Sequence, residues 1–531
     1  MLSRFIAKVE GVNIGFWQWA VSFLGVIFIR FFLENLSSPT PSFPATPDTL
    51  TLLHYGLFYL TALLLTSLIL RIFIPDISAI SKFLIFIFPV SWLPPIVDLV
   101  TSHGMGSLMA YVFTPRWELL QSFLTLGGPY VLGGITLGIK IELAIILVGV
   151  FSYAFVKTKN ILKSILAAIL SYFGIFFLIA LPSFLAVGST VPSSALFSAF
   201  ANAHLIDNFV RPTIQYSYLY AVETLFNLGM VHVYYFLDFI LLIAWVCIYR
   251  PRVVGAFLKN IRPGRIISFI VLITLGAVIA SILSGTALFN GVVDWLAFIN
   301  ISIAFICAWL FAVGVNDLED VDIDKISNSR RPLIEGALSE REVSDGNIFF
   351  LIWLLIGGYI GGFWTFFGVV TFTAAYYVYS AHPLRLKQIP ILASFLIALA
   401  SLSATFSGFY FTDINKTVLA FPPRLLLLIL IFFTLMLNVK DIKDIEGDRA
   451  ERITTIPVAF PRHGKEIVGG LFAVAFLIIP IIIGAKILFI PSVIAAVLGY
   501  ILINAKTYRE WPVFIIYFAY ILTAALLLWP R

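Results

Sequence analysis

Runs of about twenty residues without a charge recur along this chain, and they limit what it can fold into. Residues 295–313, WLAFINISIAFICAWLFAV, form one such run. A helix crosses a hydrocarbon core in about 20 residues. Backbone polar groups in lipid must bond within their own segment or a closed barrel. A barrel strand reads as about ten residues of alternating polarity, whereas these blocks are continuously apolar. The chain is 60% hydrophobic and 12% charged, with a mean hydropathy of +1.02. Soluble domains average about 45–50% apolar and about 25% charged residues. The expectation is an all-α, multi-pass integral membrane protein of the cell membrane.

Fifteen spans are expected, near 14–33, 51–71, 82–100, 130–156, 162–187, 226–249, 266–286, 295–315, 347–366, 367–380, 389–410, 422–438, 465–484, 487–505 and 511–529. Only Gly368 marks the division of 347–380 into two crossings. Arg4 and Lys8 before an apolar run fit a secretory signal, but the run continues past Arg30 without a clear cleavage site. A first membrane helix is the better reading. Cys247 and Cys307 lie in apolar spans and suggest neither a disulfide nor a thiolate metal site.

The formal charge of +6 points to membrane topology, not to nucleic acid. With the N-terminus inside, the inside loops collect Arg71 and Lys82; Lys157, Lys159 and Lys163; and Arg250 to Arg265. They also collect Arg330, Arg331 and Arg341, then Arg385 and Lys387, then Lys440 to Lys465, including Arg452. The outside loops 34–50 and 287–294 hold no Lys or Arg. Cytoplasmic loops carry such an excess, so the N-terminus and the acidic loops described next are expected in the cytoplasm. Three parts follow: a six-helix membrane domain at 1–249, a basic cytoplasmic linker at 250–265, and a nine-helix domain at 266–531.

The polar chemistry is concentrated in the last part. GVNDLEDVDIDKIS, residues 314–327, puts five carboxylates between Asp317 and Asp324. Asn316, Asp320 and Asp324 are spaced i, i+4, i+8, which makes one helical stripe, with Asp317 beside it and Glu319 and Asp322 pointing elsewhere. Like charges at this spacing repel, so the stripe calls for cations, and oxygen-only ligands favour a hard divalent ion such as Mg²⁺. Taken alone the run also fits a solvated loop. A calcium loop does not fit, because Lys325 replaces the turn glycine and Arg331 the bidentate glutamate. A second acidic stretch, NVKDIKDIEGDRAERITTIPV at 438–458, repeats the spacing in Asp444 and Asp448, with Asp441 one turn earlier. Two stripes at one depth can hold two cations between them and suit ionisation of an allylic diphosphate. Arg330 and Arg331 follow the first stripe, Lys440 and Lys443 flank the second, and YSAHPLRLKQIP at 379–390 adds Tyr379, Arg385 and Lys387.

The pattern N-D-x-x-D-x-x-x-D at 316–324, followed by RRPLIEGALS, resembles the first aspartate-rich motif of the UbiA-type intramembrane prenyltransferases. KDIKDIEGDRAERITTIPV resembles their second motif, YSAHPLRLKQ their central loop, and IRPGRIISFIVLITLGAVIA at 261–280 their opening helix. The resemblance covers about 261–529. It implies that Asn316, Asp320, Asp324, Asp444 and Asp448 hold two Mg²⁺ ions and the donor diphosphate, with Asp317 and Asp441 assisting. It further implies that Arg331, Lys387, Arg385, Arg265 and Lys440 bind phosphate oxygens and that Tyr379 lines the pocket at the reacting carbon. His382 stands where relatives often have proline. The donor would be a polyprenyl diphosphate, its tail among phenylalanines such as Phe363, Phe366, Phe367 and Phe372, and the acceptor a hydrophobic aromatic or lipid molecule in the membrane.

Two other classes compete: a cation-coupled transporter and a catalytically inactive diphosphate-lipid scaffold. A transporter would carry its acids in mid-span, and these cluster at span ends beside basic loops. In the first domain, Asp98, Glu142 and Asp238 fall in or near apolar spans, with His103 after the first. Intramembrane acids are functional candidates by default. Binding of the lipid acceptor, recruitment of a membrane partner and a separate transport step remain open there. The Pro/Ser/Thr-rich segment 36–48 reads as a flexible outside linker.

Overall fold

The computed structural model describes residues 2–37, 49–102, 111–112, 118–128, 135–185, 218–412, 418–450 and 453–528. Most of segment 36–48, His103 and Arg452 lie outside them. The described residues are helical with no strand. Fourteen helices are long and apolar enough to cross a membrane, and the protein is an integral multi-pass membrane protein.

The chain divides into two units, Met1–Pro251 with Gly291–Leu296, and Arg252–Asn290 with Ala297–Arg531. The first contains α1 (Leu2–Glu10), α2 (Phe16–Ser37), α3 (Thr49–Arg71), α4 (Ile77–Ile87) and α5 (Leu93–Ser102). It continues with α6 (Leu137–Thr158), α7 (Ile161–Ile179) and α8 (Tyr218–Tyr249). Asp76, Thr136 and Asn160 start α4, α6 and α7 by accepting a backbone N–H of the first turn. Helix α3 packs against α8 and α7, and α6 against α7 and α5. Asp98 accepts the Gly138 amide at 3.0 Å, and buried Asp238 accepts the Thr61 hydroxyl at 2.7 Å.

The second unit opens with α9 (Pro251–Lys259) and α10 (Pro263–Ser284). The basic segment 250–265 is therefore mostly helical. Then come α11 (Val292–Glu319), α12 (Val321–Ser327), α13 (Glu340–Ile360) and α14 (Phe363–Ser380). The rest is α15 (Leu392–Thr412), α16 (Pro423–Met436), α17 (Ile445–Ala450), α18 (Gly464–Ile483), α19 (Phe489–Ile503) and α20 (Glu510–Leu528). The expected break at Gly368 lies instead at Gly361–Gly362, where Gly362 has φ +92°, a left-handed region that favours glycine. Helix α14, which corresponds to the tenth expected span, carries three tyrosines and three threonines and is less apolar than the fourteen candidate spans.

Helix α15 is the axis of this unit, buried between α10, α14 and α16. Lipid supplies no hydrophobic drive between helices, so close packing of small residues holds them. A Cβ on Gly276 would lie 1.9 Å from the Thr405 carbonyl, and one on Gly408 1.9 Å from the Ile273 carbonyl. The two glycines thus let α10 and α15 cross backbone to backbone. Gly408→Leu is expected to cost at least about 3 kcal/mol, the upper end for overpacking. The temperature at which the monodisperse peak in detergent is lost checks it; an unchanged temperature contradicts the crossing.

Candidate active site

The first acidic stripe runs along the end of α11 and into α12. The helix breaks at Asp320, but the four-residue turn survives: Asp320 N–H donates to Asn316 O at 3.0 Å, Asp324 to Asp320 at 2.9 Å and Asn328 to Asp324 at 2.9 Å. The stripe is therefore Asn316, Asp320, Asp324 and Asn328. A capping box at Ser339 and Glu342 then starts α13. The second stripe lies on the turn 437–442 and on α17, where Asp448 N–H donates to Asp444 O at 2.8 Å. Helices α12 and α17 pack together. Asn328 lies between them, donating to Asp324 Oδ1 at 3.1 Å and near enough to Asp444 to favour its charged form.

Basic groups fill the first stripe. Asp320 accepts Arg385 Nη2 at 2.9 Å and also Lys387 Nζ. Asp324 pairs with Arg331, whose Nη1 also reaches Asp317 Oδ1 at 2.8 Å. Asp317 further takes the Asn260 amide, and Arg262 lies 3.6 Å away. Asn316 accepts the Ser380 hydroxyl at 3.1 Å. Lys440 donates to Tyr379 OH at 2.8 Å and pairs with Asp441 at 2.9 Å. Arg265 lies apart from these groups, paired with Glu510 at 3.1 Å and over the Phe514 ring, while Lys443 takes the other Glu510 oxygen at 3.0 Å. Glu319 and Asp322 do point elsewhere, to His382 at 2.6 Å and Lys325 at 2.8 Å.

The charge balance differs between the stripes. Asp444 and Asp448 are in no ion pair among the described residues. Burial, and then neighbouring Asp441 and Asp444, push the Asp448 carboxyl up to about 7. Burial also raises Asp444, and raises Asp324 to about 6 against the pull of Arg331. Burial lowers the Lys387 ammonium, which feels both Asp320 and Asp448. Asp444 and Asp448, with Asp441 close enough to raise Asp448 further, suit a hard divalent ion by donor chemistry. In the present geometry no three His, Cys, Asp or Glu side chains among the described residues are placed to ligate one ion, and Arg331, Arg385 and Lys387 pair with the acids of the first stripe.

Four site residues escaped the sequence reading. Asn328 continues the i, i+4 series by one step and was findable. Asn260, Arg262 and Glu510 act through tertiary contacts that no spacing encodes. The tail-binding expectation needs correction: Phe363, Phe366 and Phe367 are on the exposed face of α14. Phe372 alone is buried, its ring centroid 4.8 Å from Phe269 and 5.4 Å from Phe305. It continues through Tyr376 at 5.0 Å to Tyr379 at 6.4 Å further.

Residues 277–514 match the UbiA prenyltransferase family. Naringenin 8-dimethylallyltransferase 2 of Sophora flavescens is 32% identical over 257 residues, 46% of this chain and 61% of that protein. The match thus spans about three-fifths of the plant enzyme's length. Digeranylgeranylglyceryl phosphate synthase of Pyrococcus furiosus is 26% identical over 259 residues, 46% of this chain and 84% of that protein. A UbiA homolog from Archaeoglobus fulgidus, solved bound to GPP and Mg²⁺, aligns with a TM-score of 0.40 at 20% identity, covering 51% of this chain and 96% of that one. The match takes in both acidic stripes and the loop between them, so the part of the chain that is similar to the UbiA prenyltransferase family is the part that carries the site.

Proposed function

We propose that the second unit transfers a polyprenyl group from an allylic prenyl diphosphate to a membrane-associated aromatic or lipid acceptor and releases diphosphate. The observation that carries this reading is the meeting of two acidic stripes at Asn328, with Arg331, Arg385 and Lys387 among their carboxylates. The plant and archaeal relatives are named for dimethylallyl transfer and for digeranylgeranylglyceryl phosphate synthesis, which supports a transfer of this class.

Asn316, Asp320 and Asp324 on one side, and Asp444 and Asp448 on the other, with Asp317 and Asp441 behind them, would hold two Mg²⁺ ions. Bound there, the ions supply positive charge to the diphosphate leaving group. Arg331, Arg385 and Lys387 then exchange carboxylate oxygens for phosphate oxygens. The allylic C–O bond breaks and its electron pair leaves with diphosphate. Tyr379, Tyr376, Phe372, Phe269 and Phe305 offer aromatic faces to the allylic cation and keep water from it. The acceptor oxygen or ring carbon forms the new bond and loses its proton. Lys440, bonded to Tyr379, fixes that phenol at the mouth. The N-terminus and the acidic loops face the cytoplasm, as the distribution of Lys and Arg argues.

The test supplies the full-length protein with Mg²⁺, radiolabelled geranylgeranyl diphosphate and membrane lipid extracts. Diphosphate release with a new prenylated product is expected, and its mass identifies the acceptor class. No Mg²⁺-dependent turnover with donors of any length would overturn the proposal. A milder change belongs with it: Glu510→Gln loosens Arg265 and Lys443 but touches no stripe, so turnover is expected to fall by less than about tenfold. A loss as large as that of a stripe variant would move Arg265 into the diphosphate site.

A further inference from the structure

The family match begins at residue 277 and leaves the first unit unassigned. That unit encloses a cavity of about 100 Å³ between α2, α3, α4, α6 and α7. Its walls are mostly apolar, with Phe58, Leu63 and Ile87 among them, but three buried charged side chains also line it: Arg30, Glu34 and Glu142. Charged groups inside an apolar span are costly and seldom idle.

One guanidinium serves two carboxylates there. Arg30 lies 3.5 Å from Glu34 and 3.7 Å from Glu142, longer than the 2.7–2.9 Å of a charge-assisted hydrogen bond. It also donates to the Ser91 carbonyl and stacks 5.1 Å from the Tyr59 ring centroid. The Glu142 side chain is 8% exposed and accepts no hydrogen bond from the described residues. The Arg30 Nε–H, closed off from solvent, has no acceptor among the described residues. The cavity therefore presents an acceptor carboxylate beside a guanidinium whose hydrogen bonds to the described residues are incomplete.

We propose that this cavity binds a small amino alcohol, its ammonium against Glu142 and its neighbouring oxygen accepting from the Arg30 guanidinium. A bare metal ion fits poorly, because most of the wall offers no oxygen. An anion fits poorly because the single guanidinium is already shared by two carboxylates. The size agrees: a 150 Å³ protein cavity holds benzene, so about 100 Å³ admits a few heavy atoms, not a lipid tail. The group is either a free amino alcohol or the ethanolamine headgroup of a phospholipid reaching in from the bilayer.

The test is a binding measurement on the full chain and does not depend on prenyl transfer. In delipidated protein at fixed pH and ionic strength, ethanolamine is expected to raise the Tm saturably by at least about 2 °C at millimolar concentration. Propylamine, lacking the oxygen, and ethylene glycol, lacking the ammonium, are expected to need at least about tenfold more, since each leaves one buried partner unmet. Glu142→Gln abolishes the ethanolamine shift; if that variant fails to fold, the ligand series on the wild-type chain decides alone. A second arm places the protein in nanodiscs of phosphatidylglycerol with or without phosphatidylethanolamine and weighs the lipids that stay bound after extraction. Enrichment of phosphatidylethanolamine without a shift by free ethanolamine assigns the site to the headgroup. Absence of both effects, equal shifts by all three small molecules, or full binding by folded Glu142→Gln overturns the proposal.

Discussion

Asp448→Asn is expected to lower Mg²⁺-dependent diphosphate release by about 10²–10³-fold while leaving the thermal transition of the purified protein where it was. The two halves of that expectation share one cause. Asp448 is in no ion pair among the described residues, and the hydrogen bond its side chain accepts from the Thr455 hydroxyl is long at 3.3 Å. Burial and the adjacent Asp441 and Asp444 already push its carboxyl up to about 7. Removing the charge breaks no strong contact and relieves repulsion, so the fold loses nothing. Any cation that needs this carboxylate loses a ligand. Asp322→Asn is the control: Asp322 is exposed and, among the described residues, pairs only with Lys325, and its replacement is expected to leave turnover and stability unchanged. Near-normal turnover in Asp448→Asn would take the second stripe out of the site. A fall in its thermal transition would mean that Asp448 has a structural partner absent from this geometry.

The sequence was most legible where a single physical constraint acts on a long segment. Crossing a bilayer demands continuous apolar length, so the helices of both units could be placed from composition alone. The stripes were legible for a related reason. A helical period turns Asn316, Asp320 and Asp324 into neighbours, and the turn persists through the break at Asp320 because the backbone hydrogen bonds continue. The failures have one origin as well. In a chain for lipid, both faces of a helix are apolar, so pattern does not say which phenylalanines of α14 turn inward; packing against Phe269 and Phe305 selects Phe372. The division between α13 and α14 depends on backbone geometry at Gly362, and Gly368 looked equivalent in sequence. Gly368 is instead a packing residue, since a Cβ there would lie 2.0 Å from Ser407 Oγ. The hold of Asn260 and Arg262 on Asp317 joins residues more than fifty positions apart, beyond the reach of any local spacing.

Arg331→Ala is expected to be the most damaging change at the site for stability. One Nη1 atom bonds both Asp317 and Asp324, whose side chains are only 4% and 3% exposed. Removing a partner from a buried ion pair costs about 3–5 kcal/mol, because the remaining charge is left uncompensated. Here two carboxylates are left, and Asn260, Arg262 and Asn328 compensate them only in part. Arg331→Lys keeps the charge but not the planar fork, so an intermediate loss is expected. Combining Arg331→Ala with Asp324→Asn should recover stability without recovering turnover, since the repulsion is gone but so is a ligand. Mg²⁺ gives a reading independent of catalysis. If these carboxylates can accept a divalent ion, Mg²⁺ raises the thermal transition of Arg331→Ala more than that of the wild-type chain, where the guanidinium competes for the same oxygens. Equal Mg²⁺ responses in the two proteins would separate Arg331 from the cation site and leave it a purely structural clamp on the first stripe.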